Sequence, residues 1–370
     1  MTTGDLIKYL EDWAPPGAAW EKDNVGLQIG SRGYNIKNIL LCLELNGEVL
    51  KEALQKKCNF IFTHHPLIFS PIKRLDLDKD PRSELIQKIL KNNITVFSAH
   101  TNLDFTKDGV SFELAKTLKL KNLRFLENET DNQFKVAVFV PLESLENVSD
   151  AVFKSGGGII GEYKNCSFRL NGEGTFEGSD KTNPSVGKKN KFEKVNEIRL
   201  EFIVDSWNLN NVISALIKVH PYEEPAYDIY SLKNKNANYG AGVIGDLENA
   251  MSENEFLAHV NKSLKTKVLK YCSGKSKLIK KVAVCGGSGS DFMKQVLLKN
   301  ADAFVTADIK YHSFQDAMGK FLFIDAGHYE TEIISLKAVH EKIMKFIPQG
   351  NNIKVFKYSG TTNPVKFFKQ

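Results

Sequence analysis

Short, continuous apolar runs alternate along the chain with segments in which apolar residues recur every three or four positions. NILLCLEL (38–45), NFIFTHH (59–65) and ITVFSAH (94–100) are of the first kind, the pattern of strands buried on both faces. GEVLKEALQKK (47–57), SELIQKILKNN (83–93) and DGVSFELAKTL (108–118) have helical spacing, as do residues 5–13. Strand and helix in alternation predict parallel βαβ units. From about residue 126 the pattern changes. FKVAVFVPLESLENVSDAVFKSG reads strand then helix, YKNCSFRLNGEGTF and VNEIRLEFIVD read as strands, NLNNVISALIKVH as a helix and EEPAYDIYSL as a last strand. That order suggests an α+β, ferredoxin-like domain. The α/β pattern returns with YGAGVIGDL and continues through strands KKVAVCGG (280–287), ADAFVTAD (301–308) and KFLFIDAG (320–327). The simplest organisation is one α/β core, residues 1–125 and 236–370, interrupted by an inserted domain at 126–235.

Composition adds bounds. At 370 residues the chain is long enough for roughly two or three domains, and 42% hydrophobic with 25% charged residues is ordinary for globular proteins. The formal net charge of +6 is spread through lysine-rich helices, and no basic run alternates with aromatics, so nucleic-acid binding has little support. Five scattered cysteines without a C-x-x-C fit small buried hydrophobes in a reduced, cytoplasmic protein. The N-terminal residues lack the basic and apolar regions of a signal peptide, and no run of about 18 apolar residues spans a membrane.

The histidines carry the chemistry. Of eight, His64, His65, His100, His312 and His328 follow strand ends. In open α/β sheets that edge binds ligands. Pro66 biases His65 towards extended backbone, where successive side chains diverge unless the chain bends. Asp104 follows His100. A helix starting at HYETE puts His328 and Glu332 at i and i+4, on one face, and TADIKYH adds Asp308, Lys310 and His312. Histidine and carboxylate without cysteine suit Zn²⁺, Fe²⁺ or Mn²⁺. Each group alone is more often a set of hydrogen-bonded structural residues; together they make a metal site as good a reading as a structural one. In VAVCGGSGSDFM (282–293), Gly286, Gly287, Ser288 and Gly289 form a turn that either cradles a phosphate or is a tight connection capped by Ser288 or Ser290. HPYEEPAY (220–227) reads as a rigid turn between prolines.

WEKDNVGLQIG (20–30), FTHHPLIF (62–69), AHTNLD (99–104), VAVCGGSGS (282–290) and DAGHYETE (325–332), in that order, resemble the GTP cyclohydrolase 1 type 2 homologs, a dinuclear metal centre family also called Nif-three-like. NGEGTF (171–176), NPSVGK (183–188), VNEIRLE (195–201) and HPYEEPAYDI (220–229) are similar to the PII/CutA-like insert of its longer bacterial members. The resemblance implies a two-lobed α/β core with a dinuclear cavity, the ligands falling on His64, His65, Asp104, His328 and Glu332. It also implies two divalent ions per chain, a toroidal homohexamer built from dimers, and a nucleotide substrate. The family name points to ring-opening hydrolysis of GTP, with His100 or His312 moving protons and the glycine-serine turn holding the triphosphate. A non-catalytic, metal-binding or regulatory protein with a sensor insert is the alternative. Glu44 stands where many relatives carry Asp.

Overall fold

The computed structural model describes residues 1–368. Five strands precede the insert: β1 (Gly26–Ile29), β2 (Asn38–Cys42), β3 (Phe60–Thr63), β4 (Thr95–Ser98) and β5 (Lys121–Asn128). Four lie within it: β6 (Gln133–Pro141), β7 (Phe168–Glu177), β8 (Phe192–Asp205) and β9 (Tyr227–Leu232). Six follow: β10 (Gly240–Ser252), β11 (Lys270–Cys272), β12 (Leu278–Ser288), β13 (Ala303–Ala307), β14 (Leu322–Asp325) and β15 (Lys354–Lys357).

The chain forms two compact units, one of residues 1–127 with the chain from Tyr239 onward, the other Asn128–Asn238. In the first, one sheet has the order β1-β4-β3-β2-β15 and a second the order β11-β14-β13-β12-β10-β5. The apolar runs are continuous because both faces of the first sheet are covered. Ile39, Leu41, Phe60, Phe62 and Phe97 pack under Leu6, Ile7 and Leu10 of helix Thr3–Trp13 and Leu336, Val339 and Ile343 of helix Ser335–Phe346. The alternate residues Leu40, Cys42, Ile61 and Val96 meet Val49, Leu50, Ile86 and Ile89 from helices Gly47–Gln55 and Pro81–Lys91. Each such buried side chain contributes about 1.5–3 kcal/mol. The second sheet repeats the scheme, with Val282, Val284, Val305 and Ile324 on Phe256 and Val260, and Phe304 and Phe323 on the opposite face with Val296.

The central strands β4-β3-β2-β15 and β12-β13-β14 are parallel, as the alternation predicts. The flanking strands differ: β1 runs antiparallel to β4, β10 to β12 and β11 to β14. Strand direction at an edge leaves no signature in local periodicity.

The second unit has the order strand, helix, strand, strand, helix, strand, a split βαβ motif. Its antiparallel sheet, β7-β8-β6-β9, packs Val136, Val138, Leu200 and Phe202 against Val148, Val152, Val212 and Leu216 of helices Leu145–Lys154 and Leu209–Val219. Compared with the expected 126–235, it starts two residues later and ends three later, at Asn128 and Asn238. β5 extends through Asn128, and the Asn236 N–H donates to Glu129 O at 2.8 Å, joining the entering and leaving chain.

Candidate metal centre

β3, β4 and β14 stop just before the residues of interest. After Thr63 the chain bends: the N–H groups of both His64 and His65 donate to Leu43 O, at 3.1 and 3.0 Å. The strand alternation ends there, and both rings reach the same carboxylate, with centroids 4.9 Å apart. β4 gives way to a single turn, Thr101–Asp104, preceded by His100. Gly327, at φ 89°, turns the chain out of β14 into helix His328–Glu332, which puts His328 and Glu332 at i and i+4.

Glu332 is the focus. Its Oε1 lies 2.9 Å from His328 Nε2 and 3.7 Å from His64 Nε2, and its Oε2 lies 3.1 Å from His65 Nε2. Asp104 Oδ1 is 3.6 Å from His64 Nε2. The His100 ring is 5.3 Å from those of both His64 and His65. Two sets of donor atoms converge within 4.8 Å: His64, His65 and His100, and His65, His328 and Glu332.

All four rings are held the same way. His64 Nδ1 donates to Ala99 O (2.8 Å), His65 Nδ1 to Glu44 (2.9 Å), His100 Nδ1 to Asp23 (3.0 Å) and His328 Nδ1 to Asp308 (2.6 Å). With Nδ1 committed as donor, the Nε2 atoms of His64, His65 and His328 are left for the cluster. An acceptor behind each ring fixes tautomer and orientation, as in metal sites. Asp23 is itself tied to Thr101, whose N–H and Oγ1 donate to it at 3.1 and 2.6 Å.

Burial sets the electrostatics. Burial raises Glu332, but the charge of His64 and hydrogen bonds from His328 and His65 outweigh it and hold the carboxyl well below the usual range. Burial, only partly offset by His64, pushes Asp104 up to about 6. His65 is raised to about 10, because hydrogen bonds to Glu332 and Glu44 exceed the opposing desolvation. Hydrogen bonding to Glu332 lifts His328 to about 9. Desolvation raises Asp23, yet hydrogen bonds from His100 and Thr101 bring it to about 2.

The residues fit a metal. His64 Nε2 and Asp104 Oδ1 are buried with no hydrogen-bond partner, an arrangement that costs roughly 1–3 kcal/mol for each group unless something fills the gap. Gly287 keeps space open: a Cβ there would overlap Glu332 Oε1 and stand 3.3 Å from His328 Nε2. Three imidazoles and two carboxylates form a donor set for a borderline divalent ion.

The structure thus brings together His64, His65, His100, Asp104, His328 and Glu332. Gly286 and Gly287 border the cluster, but their N–H groups donate to Ser111 Oγ (3.2 Å) and Thr331 Oγ1 (3.0 Å). A phosphate at that turn would have to draw on Ser288 and Gly289. The turn is the end of β12, followed by a 3₁₀ turn, Ser290–Phe292, and a six-residue helix. His312 is exposed on helix Tyr311–Ala317, with Nδ1 facing Gln315, and belongs to neither converging set. Asp23, which holds His100 from behind, is recognisable only once the loops are folded together; Asp308, a candidate from TADIKYH, supports His328 from behind.

The profile of the family described as Duf34/NIF3 (NGG1p interacting factor 3) matches residues 1–364. The chain is 37% identical over 365 residues to a Halalkalibacterium halodurans protein named GTP cyclohydrolase 1 type 2 homolog, covering 98% of each. It is 37% identical over 364 residues to a Bacillus subtilis protein of the same name, covering 98% of this chain and 97% of the relative. A crystal structure of a Bacillus cereus protein related to NIF3 superposes with a TM-score of 0.81 at 35% identity, covering 100% of this chain and 99% of that one. The chain therefore belongs to the Duf34/NIF3 family, alongside the GTP cyclohydrolase 1 type 2 homologs.

Proposed function

We propose that this protein holds two divalent metal ions and uses them to hydrolyse a nucleotide or related substrate. The observation that carries the reading is Glu332: its carboxylate lies within 3.7 Å of the Nε2 atoms of His64, His65 and His328, in a cluster where His64 Nε2 and Asp104 Oδ1 lack hydrogen-bond partners. His328, His65 and Glu332 would hold one ion, and His64, Asp104 and Glu332 the second. When bound, such a pair supplies Lewis acidity and lowers the pKa of a water. The chain's residues would do the rest. Asp23 and Glu44 hold His100 and His65 in single orientations. His100 presents Nε2 beside the cluster as proton acceptor. Zn²⁺, Fe²⁺ and Mn²⁺ all suit the donor set.

GTP is the first substrate to try, since curated relatives carry the name GTP cyclohydrolase 1 type 2 homolog. Formate release from GTP by the metal-loaded protein, abolished in Asp104→Ala and Glu332→Ala, would support ring opening. A loaded protein inert towards GTP and other nucleotides would refute it. The assembly proposed with this function is a toroidal homohexamer of three dimers in the cytoplasm, which light scattering would test. No helix among the described residues is long and apolar enough to cross a membrane.

One observation favours a sensor role for the insert. A cavity of about 440 Å³ within it is lined by Phe139, Phe176, Val186, Tyr222 and the carboxylates of Glu197 and Glu223. It draws on all four stretches that resemble the PII/CutA-like insert: NGEGTF, NPSVGK, VNEIRLE and HPYEEPAYDI. Pockets of this size take small molecules. A metabolite screen by thermal shift, repeated on Phe176→Ala, tests this. A hit that ignores that substitution would count against it.

A further inference from the structure

Two residues that follow β15 meet side chains bordering the candidate metal site. β15 pairs in parallel with β2, and the Tyr358 N–H continues the ladder to Leu41 O at 2.9 Å. Ser359 N–H then donates to Glu52 at 3.1 Å. Two residues in this segment reach the site. Thr362 Oγ1 donates to Glu44 Oε2, while the other oxygen of Glu44 holds His65 Nδ1. Asn363 Nδ2 donates to Glu330 Oε1 at 3.1 Å, on the helix that carries His328 and Glu332. Residues 362 and 363 thus connect two parts of the site that come from opposite ends of the sequence.

The contacts are selective. Of the two converging donor sets, one is His65, His328 and Glu332. Thr362 acts on its first member through Glu44, and Asn363 on the other two through the helix. The remaining rings are held elsewhere: His64 by Ala99 and His100 by Asp23.

We infer that Thr362 and Asn363 are positioning residues for the metal site formed by His65, His328 and Glu332, and that the C-terminal segment sets the affinity of that site more strongly than that of the other site, which shares only Glu332 with it. The inference rests on the proposed metal-binding function. Groups that orient metal ligands from behind typically change affinity by about 10–100-fold. Thr362 acts one hydrogen bond further out, so the lower end, about tenfold, is expected.

The test is titration of the metal-free, full-length protein with Co²⁺, following its absorption spectrum and competing with a chelator of known affinity. Wild type, Thr362→Val, Thr362→Ser and Asn363→Leu are compared, with thermal melts to confirm folding. Valine keeps the shape and removes the hydroxyl; serine restores it. The expected result is two binding steps in the wild type. One step weakens about tenfold in Thr362→Val and Asn363→Leu, its spectrum changes, and it recovers in Thr362→Ser, while the other step stays within twofold in Thr362→Val and weakens less than the first in Asn363→Leu. A wild type that binds Co²⁺ together with folded variants whose affinities match it would overturn the inference and leave the metal function standing. Equal weakening of both steps would also overturn it, as would failure of serine to rescue. A wild type that binds no Co²⁺ would overturn both readings.

Discussion

Gly287→Ala is the substitution that most directly probes the space at the centre of the cluster. Gly287 has φ +61°, in the left-handed region, which costs an L-residue about 1–2 kcal/mol. For a chain of this size that alone lowers Tm by a few degrees, at about 2–4 °C per kcal/mol or less. The larger effect is local. The new Cβ would overlap Glu332 Oε1 and lie 3.3 Å from His328 Nε2, so the carboxylate must move away from the point where His64, His65 and His328 converge. Losing an outer partner of a ligand costs about 10–100-fold in metal affinity; here a ligand itself moves, so at least that loss is expected. Gly286→Ala is the control. Its Cβ would press on Val110 Cγ1 at 2.5 Å, on the core side, so Tm should fall while metal binding survives. The assay is metal titration beside a thermal melt for both variants. A folded Gly287→Ala protein with wild-type metal affinity would refute the reasoning.

Other consequences are equally open to test. Asp23→Ala should leave His100 Nδ1, the Thr101 N–H and the Thr101 hydroxyl without their acceptor, costing roughly 1–3 kcal/mol for each donor left buried; an unchanged denaturation midpoint would contradict this. Phe62→Ala removes a fully buried ring beside Phe97 and should cost about 3–5 kcal/mol, read from the same melts; a loss under 1 kcal/mol would show that the sheet tolerates the cavity. His220 in the insert donates from Nε2 to Phe139 O and accepts at Nδ1 from the Tyr222 N–H, a neutral ring whose pKa desolvation lowers below 6.5. The unfolded state then binds more protons between the folded value and 6.5. The contribution is therefore complete above about pH 6.5 and is lost as pH falls through that window. Nitrogen NMR should find the ring neutral at pH 6.5, and titration at or above that pH would contradict the assignment.

How much of this was legible beforehand follows from the range of each signal. Strand and helix alternation is local, and it located β2, β3, β4, β12, β13 and β14, and with them the histidines at their ends. The bend at His64 and His65 was not legible, because it depends on Leu43 O from a neighbouring strand. Strand direction at the sheet edges was hidden for the same reason. Asp23 meets His100 from 77 positions away, and Thr362 meets Glu44 from 318 away; nothing periodic connects such pairs. The glycines of VAVCGGSGS read in sequence either as a phosphate turn or as a tight connection. Folding puts Gly287 against Glu332 instead, where the missing side chain, more than the N–H, is what matters. His312 follows a strand end like the others, but its exposed helix faces Gln315.

The central claim is that His64, His65, Asp104, His328 and Glu332 hold metal. Elemental analysis of the purified protein, beside Glu332→Gln and His64→Ala, tests it most directly. The account predicts about two equivalents of a transition metal per chain in the wild type and a clear loss in both variants. A wild type with no stoichiometric metal, even after supply of Zn²⁺, Mn²⁺ and Fe²⁺, would contradict it.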